Sequence, residues 1–368
     1  MKHQSFQKLL STDPFEFSVE NKKIFLESFK ENALFHYRHH EFTKKLWDKM
    51  GFHPNSILTE EDLLKVPGTM VNLYKEHEFH SIPKDKLALI LTSSGTNGQK
   101  SHQFLDEESL QNVKDLALKI HESLGMVSPE KYNYLCFTYD PKIANDLGTA
   151  FTDELLTSFT GKGEVYYAIQ WNESAKDFVL NEEGVVEAFR RFEKSSLPTR
   201  VLGFPALLFE VLMKYDLRIK LPRNSWLQTG GGWKSKSDQE ISKSEFREFI
   251  FERLRILPEF QRDLFGMVEH GIPYVDCRKG KLHIPNYARV YVRSPKTLEI
   301  LPHGEKGLLH FLCSYNFSYP APSLLTTDYG HLGSCDCGLE GDTLMLEGRA
   351  GVTKHKGCAL TALRLIGS

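Results

Sequence analysis

Leu87-Ala88-Leu89-Ile90-Leu91-Thr92-Ser93-Ser94-Gly95-Thr96-Asn97-Gly98-Gln99-Lys100-Ser101 couples a short apolar run to a loop rich in glycine and hydroxyl side chains. An apolar run of this length, bounded by a glycine-rich turn, predicts a buried strand. The loop after it lets backbone N–H and side-chain O–H groups close on phosphate oxygens, while its lysine adds a point charge. The Walker A pattern requires Gly and Lys to be adjacent, with four residues between its glycines. Here two residues separate Gly95 from Gly98, and Gln99 precedes Lys100, which excludes a P-loop ATPase. On these residues alone the loop reads either as a nucleotide site or as an ordinary Gly/Ser turn.

Upstream, residues 1–85 read as a helical region. Ile24, Phe25, Phe29, Phe35, Phe42, Leu46 and Trp47 recur at mostly helical intervals, with Gly51 as a stop. Thr59 followed by Glu60, Glu61 and Asp62 has the form of a capped helix start, and Pro67 closes it. Downstream, a helix is expected at 107–124. Strand-like runs at 132–139, 165–169 and 200–202 alternate with helical runs at 185–192, 206–215 and 242–257. That alternation predicts an α/β core over 86–270 with a mainly parallel sheet. After Gly271 only strand-like runs appear, at 282–284, 288–292, 298–301 and 307–313. They predict a β-rich subdomain over 271–348, followed by a short tail at 349–368.

Composition narrows the class. Among 368 residues, 46 Lys and Arg oppose 48 Asp and Glu, and the net charge of −2 gives no general attraction to nucleic acid. Forty per cent hydrophobic and 26% charged residues fit a soluble folded chain with ample core. The first twenty residues contain no apolar core of a secretory signal. The most apolar stretch, 201–213, is broken by Pro205 and Glu210 and is too short to span a bilayer. Six cysteines are too few for a disulfide scaffold, so they read as reduced thiols in a cytoplasmic protein.

Three further patches stand downstream of the loop. Gln228-Thr229-Gly230-Gly231-Gly232-Trp233-Lys234 follows a strand expected at 225–227. Three consecutive glycines give up backbone entropy, so this turn needs close backbone approach or positive φ. Then come Phe265-Gly266-Met267-Val268-Glu269-His270 and, later, Thr326-Thr327-Asp328-Tyr329-Gly330 with Gly348-Arg349. Taken with the Gly-rich loop, and in this order, these segments resemble the adenylate-forming enzymes. Those enzymes use ATP and Mg²⁺ to convert a carboxylic acid into an acyl-AMP and pyrophosphate. The resemblance implies their large-domain fold: a helical N-terminus, parallel-rich sheet layers with helices, and a β-rich subdomain. It makes Thr92, Ser93, Ser94, Gly95, Thr96, Gly98 and Lys100 the phosphate loop, and sets Gly230, Gly231 and Gly232 beside the nucleotide. Phe265 and Gly266 would line the adenine, Glu269 would serve Mg-ATP, and Asp328 would hold the ribose hydroxyls, a role suited to a double acceptor. Arg349 would reach ribose or phosphate. The chain departs from the family pattern at Asn97, at Val268, and at Val352, each in place of a more usual residue.

Within that family the chain resembles the phenylacetate-CoA ligase-like branch, and in it the acyl-protein synthetases of bacterial bioluminescence operons, the LuxE type. Standard ligases carry a C-terminal subdomain of roughly a hundred residues with a catalytic lysine. Only 350–368 follow Arg349 here, so that subdomain is expected to be missing, with Lys354 and Lys356 substitutes by position only. The resemblance implies that a long-chain acyl group passes from acyl-AMP to Cys358, and then to a cysteine of a partner reductase. The flanking Lys354, His355 and Lys356 favour a thiolate, the nucleophile such a transfer needs. Without the resemblance Cys358 reads as a small buried thiol. Catalytic roles therefore fall to Cys358, Lys100 and Glu269. Cys277, His283, Cys335 and Cys337 form a Cys3His set of the kind that holds structural zinc, or else are separate thiols in turns. Cys136 and Cys313 sit in apolar runs and read as core. Two other functions stay open on these residues: an acyl- or aryl-CoA ligase, and a non-catalytic nucleotide-binding homologue.

Overall fold

The computed structural model describes residues 3–92, 101–140, 148–174, 176–232 and 241–349. Helices α1 (Gln4–Leu10), α2 (Val19–His39) and α3 (Glu41–Lys49) lead into strand β1 (Thr69–Met70) and helix α4 (Leu73–Glu76). Strands β2 (Leu89–Thr92) and β3 (His102–Leu105) precede α5 (Glu107–Ser123). An alternating stretch follows: β4 (Ser128–Tyr139), α6 (Gly148–Thr157), β5 (Thr160–Asn172), β6 (Asp177–Leu180), α7 (Glu182–Glu193) and β7 (Thr199–Gly203). It continues through α8 (Pro205–Lys214), β8 (Trp226–Gly230), α9 (Lys243–Leu254) and β9 (Gln261–Phe265). Only strands come after it: β10 (Tyr274–Asp276), β11 (Leu282–His283), β12 (Ala288–Arg293), β13 (Gly307–Cys313), β14 (Ser323–Gly333) and β15 (Thr343–Arg349).

These elements group into two compact units. The first comprises Met1–Ser123, Met267–Ile272 and His283–Ser368; the second comprises Leu124–Gly266 and Pro273–Leu282. The division differs from the linear partition at 85 and 270, because the chain leaves the first unit after α5 and returns to it twice.

In the first unit, α2 starts where the Ser18 hydroxyl accepts the Asn21 N–H at 3.2 Å. Phe25, Phe29, Ala33 and His36, at helical spacing, are its buried face. The turn at Thr59 is capped as the sequence predicts, with Asp62 accepting from the Thr59 N–H at 3.0 Å, although it opens a 3₁₀ helix. Strands β12 to β15 pair antiparallel in chain order, and β1 adds to β14 in parallel. Val71, Tyr74, Phe104, Tyr319, Ala321 and Leu324 pack as one apolar cluster. Two expectations need correction here. The apolar run at 87–91 is a strand but not a buried one: β2 pairs with β3 in a two-stranded sheet, and Ile90 is 42% exposed. A hairpin outside a larger sheet covers only one face of such a run. Residues 298–301 are not a full strand: they return from a turn at 295–297 that the Ser294 N–H closes on the Glu299 carbonyl at 2.8 Å, with Leu298 at φ 61 and a single bridge from Ile300 to Arg293.

The second unit holds the α/β sheet, in the order β10-β9-β8-β7-β4-β5-β6. Pairing is parallel from β9 across to β5 and antiparallel at the two flanks, β10 and β6. Parallel strands need covered faces. Helices α7, α8 and α9 supply that cover with Val185, Phe189, Leu208, Val211, Phe246 and Ile250 against Leu135, Phe137, Val201 and Leu227. Helix α9 begins with a reciprocal cap: Glu245 N–H donates to the Ser242 hydroxyl, and Ser242 N–H to the Glu245 carboxylate at 2.8 Å. Among the described residues no helix is long and apolar enough to cross a membrane.

Candidate active site

In the second unit the site elements are mostly backbone. The parallel strands end level with one another: Phe137 lies beside Gly203, Gly203 beside Thr229, and Gly230 beside Leu264. The carboxyl ends of such strands are where open α/β sheets bind ligands. Gly230, Gly231 and Gly232 leave β8 at this edge. A Cβ on Gly230 would lie 3.1 Å from the Leu264 carbonyl oxygen, and Gly231 has φ 77. Gly232 follows at φ 62. Both demands read from the glycine run, close approach and positive φ, are therefore met. Phe265 ends the neighbouring strand, opposite Tyr274, with Gly266 next in the chain.

In the first unit the site elements are side chains. Thr92 pairs with His102 across the β2–β3 hairpin, so the Gly-rich loop connects two antiparallel strands. At its far end Ser101 is fully buried and donates its hydroxyl to the Glu269 carboxylate. Glu269 itself is 7% exposed. Beside it, burial pushes the His270 imidazole down to about 3, which keeps it neutral. Asp328 lies in β14 directly opposite Arg349 in β15. The Asp328 N–H is held by the Thr326 hydroxyl at 3.2 Å, and Thr326 donates to the Leu309 carbonyl at 3.0 Å. Gly348, at φ 119, precedes Arg349 in a conformation that favours glycine.

The cysteines divide as well. Cys136 and Cys313 are core residues, as expected, and burial raises both thiols, Cys313 to about 12. His283, Cys335 and Cys337 bring one imidazole nitrogen and two sulfurs within 4.8 Å of one another in the first unit. His283 Nε2 is 3.2 Å from Cys337 Sγ. In a tetrahedral zinc site, bonds of ~2.0–2.3 Å put ligand atoms ~3.5–3.8 Å apart, so this donor set fits zinc in its chemistry and is gathered to roughly that scale. Cys277 is buried in the second unit, where its N–H donates to the Lys281 carbonyl at 2.9 Å in the turn leading to β11. Ser93, Ser94, Gly95, Thr96, Gly98, Lys100 and Cys358 lie outside the described residues, as does the Arg349 side chain.

A family model described as acyl-protein synthetase, LuxE, matches residues 4–364. The chain belongs to this family. Two relatives are each named long-chain-fatty-acid–luciferin-component ligase. The one from Vibrio harveyi is 24% identical over 355 residues, 95% of this chain and 90% of the relative. The one from Aliivibrio fischeri is 22% identical over 365 residues, 97% of this chain and 93% of the relative. This acyl-protein synthetase family member is thus an enzyme of the ligase class. Its fold is that of the adenylate-forming ligases. A 2-hydroxyisobutyryl-CoA ligase in complex with 2-HIB-AMP, in the postadenylation state, superposes with a TM-score of 0.67 at 16% identity. That match covers 92% of this chain and 69% of the other. An open conformation of that ligase with 2-HIB-AMP and CoA gives a TM-score of 0.69, covering 92% and 76%.

Sequence reasoning missed the groups around Glu269. Ser101 stands at the end of the quoted loop, yet nothing in its spacing points to a carboxylate 168 positions away. Gln103, Tyr315 and Tyr319 carry no motif either.

Proposed function

We propose that this ligase activates a long-chain fatty acid with Mg-ATP and passes the acyl group from acyl-AMP to Cys358, from which a partner acyl reductase takes it. The observation that carries the first step is the Ser101–Glu269 hydrogen bond. It joins the end of the Gly-rich loop to the glutamate of the Phe-Gly-x-x-Glu segment, two motifs assigned separately to ATP. A carboxylate oxygen of the acid attacks the α-phosphorus, the bond to the β-phosphate oxygen breaks, and pyrophosphate leaves. Ser93, Ser94, Thr96 and Lys100 neutralise and orient the phosphates. Glu269 would hold the magnesium ion, whose charge would stabilise the departing pyrophosphate when bound. Asp328 accepts from the ribose hydroxyls, Arg349 assists from the facing strand, and Phe265 lines the adenine at the end of β9. The Cys358 thiolate then attacks the acyl carbon, the bond to AMP breaks, and a thioester remains. A partner's thiolate takes the acyl group by attacking that thioester in turn.

We further propose structural zinc on His283, Cys335 and Cys337, with Cys277 as fourth ligand. Cys277 lies in the short turn that feeds β11, six residues before His283. Metal analysis of protein purified without a histidine tag should give one zinc per chain, falling well below that in Cys337→Ser. A wild-type value far under one removes the site.

A labelled fatty acid incubated with protein, Mg²⁺ and ATP, followed by intact-mass analysis with and without CoA, tests the main reading. The expected product is a hydroxylamine-labile acyl adduct that is absent in Cys358→Ala, a variant that still releases pyrophosphate. Acyl-CoA with unmodified protein would replace the acyl-protein reading with a CoA ligase. Bound ATP without turnover would replace it with a binding role.

A further inference from the structure

Glu269 faces a small cavity of about 10 Å³, lined also by Gln103, Tyr315, Tyr319 and Ala321. That volume is on the order of one water position. The tyrosine hydroxyls on its wall are not equivalent. Tyr315 accepts from Gln103 Nε2 at 2.5 Å, and Gly271 leaves room for that hydroxyl, since a Cβ there would collide with it. The Tyr319 hydroxyl is fully buried and has no hydrogen-bond partner among the described residues. A buried hydroxyl left unmatched carries its full desolvation cost, and the one acceptor charge on the cavity wall is Glu269.

We propose that Tyr319 is a positioning residue for Glu269, donating through a single water in this cavity to the carboxylate that Ser101 already holds. The inference rests on Glu269 serving Mg-ATP as proposed above. Two donors fix the carboxylate's rotation: the Ser101 hydroxyl directly, and Tyr319 across the cavity. Burial, followed by the neighbouring Tyr74, Glu269 and Tyr315, raises the Tyr319 phenol well above its ordinary value. It therefore stays protonated and able to donate at neutral pH. The ring is anchored independently, packed in the cluster with Tyr74, Phe104 and Leu324.

The test measures, in the full-length protein, the Mg²⁺ concentration giving half-maximal pyrophosphate release at saturating acid. Tyr319→Phe should raise it about five- to tenfold, the net worth of one ordinary hydrogen bond, here relayed by a water. Ala321→Val, which fills the cavity and leaves Tyr319 in place, should raise it in the same direction. Tyr74→Phe breaks the 2.8 Å hydrogen bond from Tyr74 to the Pro320 carbonyl in the same cluster. It should lower the melting temperature and leave the Mg²⁺ midpoint unchanged, as a merely structural loss would. An unchanged midpoint in both Tyr319→Phe and Ala321→Val, with thermal stability kept or raised, overturns the proposal. Glu269→Gln separates the two layers. If it shifts the midpoint and the other two variants do not, only the positioning role falls. If it leaves the midpoint at the wild-type value, the role of Glu269 itself falls, and the inference with it.

Discussion

The two units carry different materials at the positions proposed for the nucleotide. The second unit offers strand ends and glycines: Gly230 against the Leu264 carbonyl, then Gly231 and Gly232 at positive φ. The first unit offers buried side chains, with Glu269 held by Ser101 and set among Gln103, Tyr315 and Tyr319. A backbone site needs no protonation state and no counter-charge, but it tolerates no added side chain. A buried carboxylate tolerates its neighbours' shapes better, but it must be supplied with donors. Substitutions should therefore fail in different ways on the two sides.

Glu269→Gln should have the largest effect, lowering the rate of pyrophosphate release by about 10²-fold with little change in stability. A rate within threefold of wild type would erase the distinction between the two units. Acid titration should separate them next. In the first unit, burial holds His36 and His270 down at about 3 and His40 at about 4. An unfolded histidine titrates near ~6.5. Between those values the unfolded chain binds the extra protons, so the contribution is complete above ~6.5 and is lost as pH falls, by at most ~1.4 kcal/mol per pH unit for each group. In the second unit the sign reverses. Burial raises Asp153 to about 7, against ~3.9 unfolded, so its contribution is complete at low pH and is lost as pH rises through 7. Hydrogen exchange from pH 7 to pH 5 should show protection falling in the first unit and rising around α6 in the second. A uniform response would sink this contrast.

Gly231→Ala should have the smallest effect on stability, about 1–2 kcal/mol from the left-handed conformation alone. Its more telling consequence is on the KM for ATP, which should rise while kcat changes little. A fall in kcat with KM unchanged would place this glycine run away from the nucleotide.

Local chemistry was legible where a residue's own covalent structure constrains it. The glycine run announced positive φ, Thr59 and Asp62 announced a capped turn, and Cys136 and Cys313 announced core. Strand β14 was not legible, because Thr326, Thr327 and Asp328 interrupt any apolar alternation, and its antiparallel partners on either side are what make it a strand. The hairpin of β2 was read as buried for the converse reason: Leu89, Ile90 and Leu91 are apolar in series, and only the missing third strand leaves Ile90 at the surface.

By itself, then, the sequence determined the family and the α/β alternation, and it supplied the groups proposed to meet a nucleotide, because motif order and periodicity are properties of the chain. The tertiary structure alone decided that Ser101 meets Glu269, that Asp328 faces Arg349, and that His283 approaches Cys337. Those pairings join residues from 21 to 168 positions apart. Each is set by strand register and packing, in which every intervening element takes part, and no local pattern encodes the result.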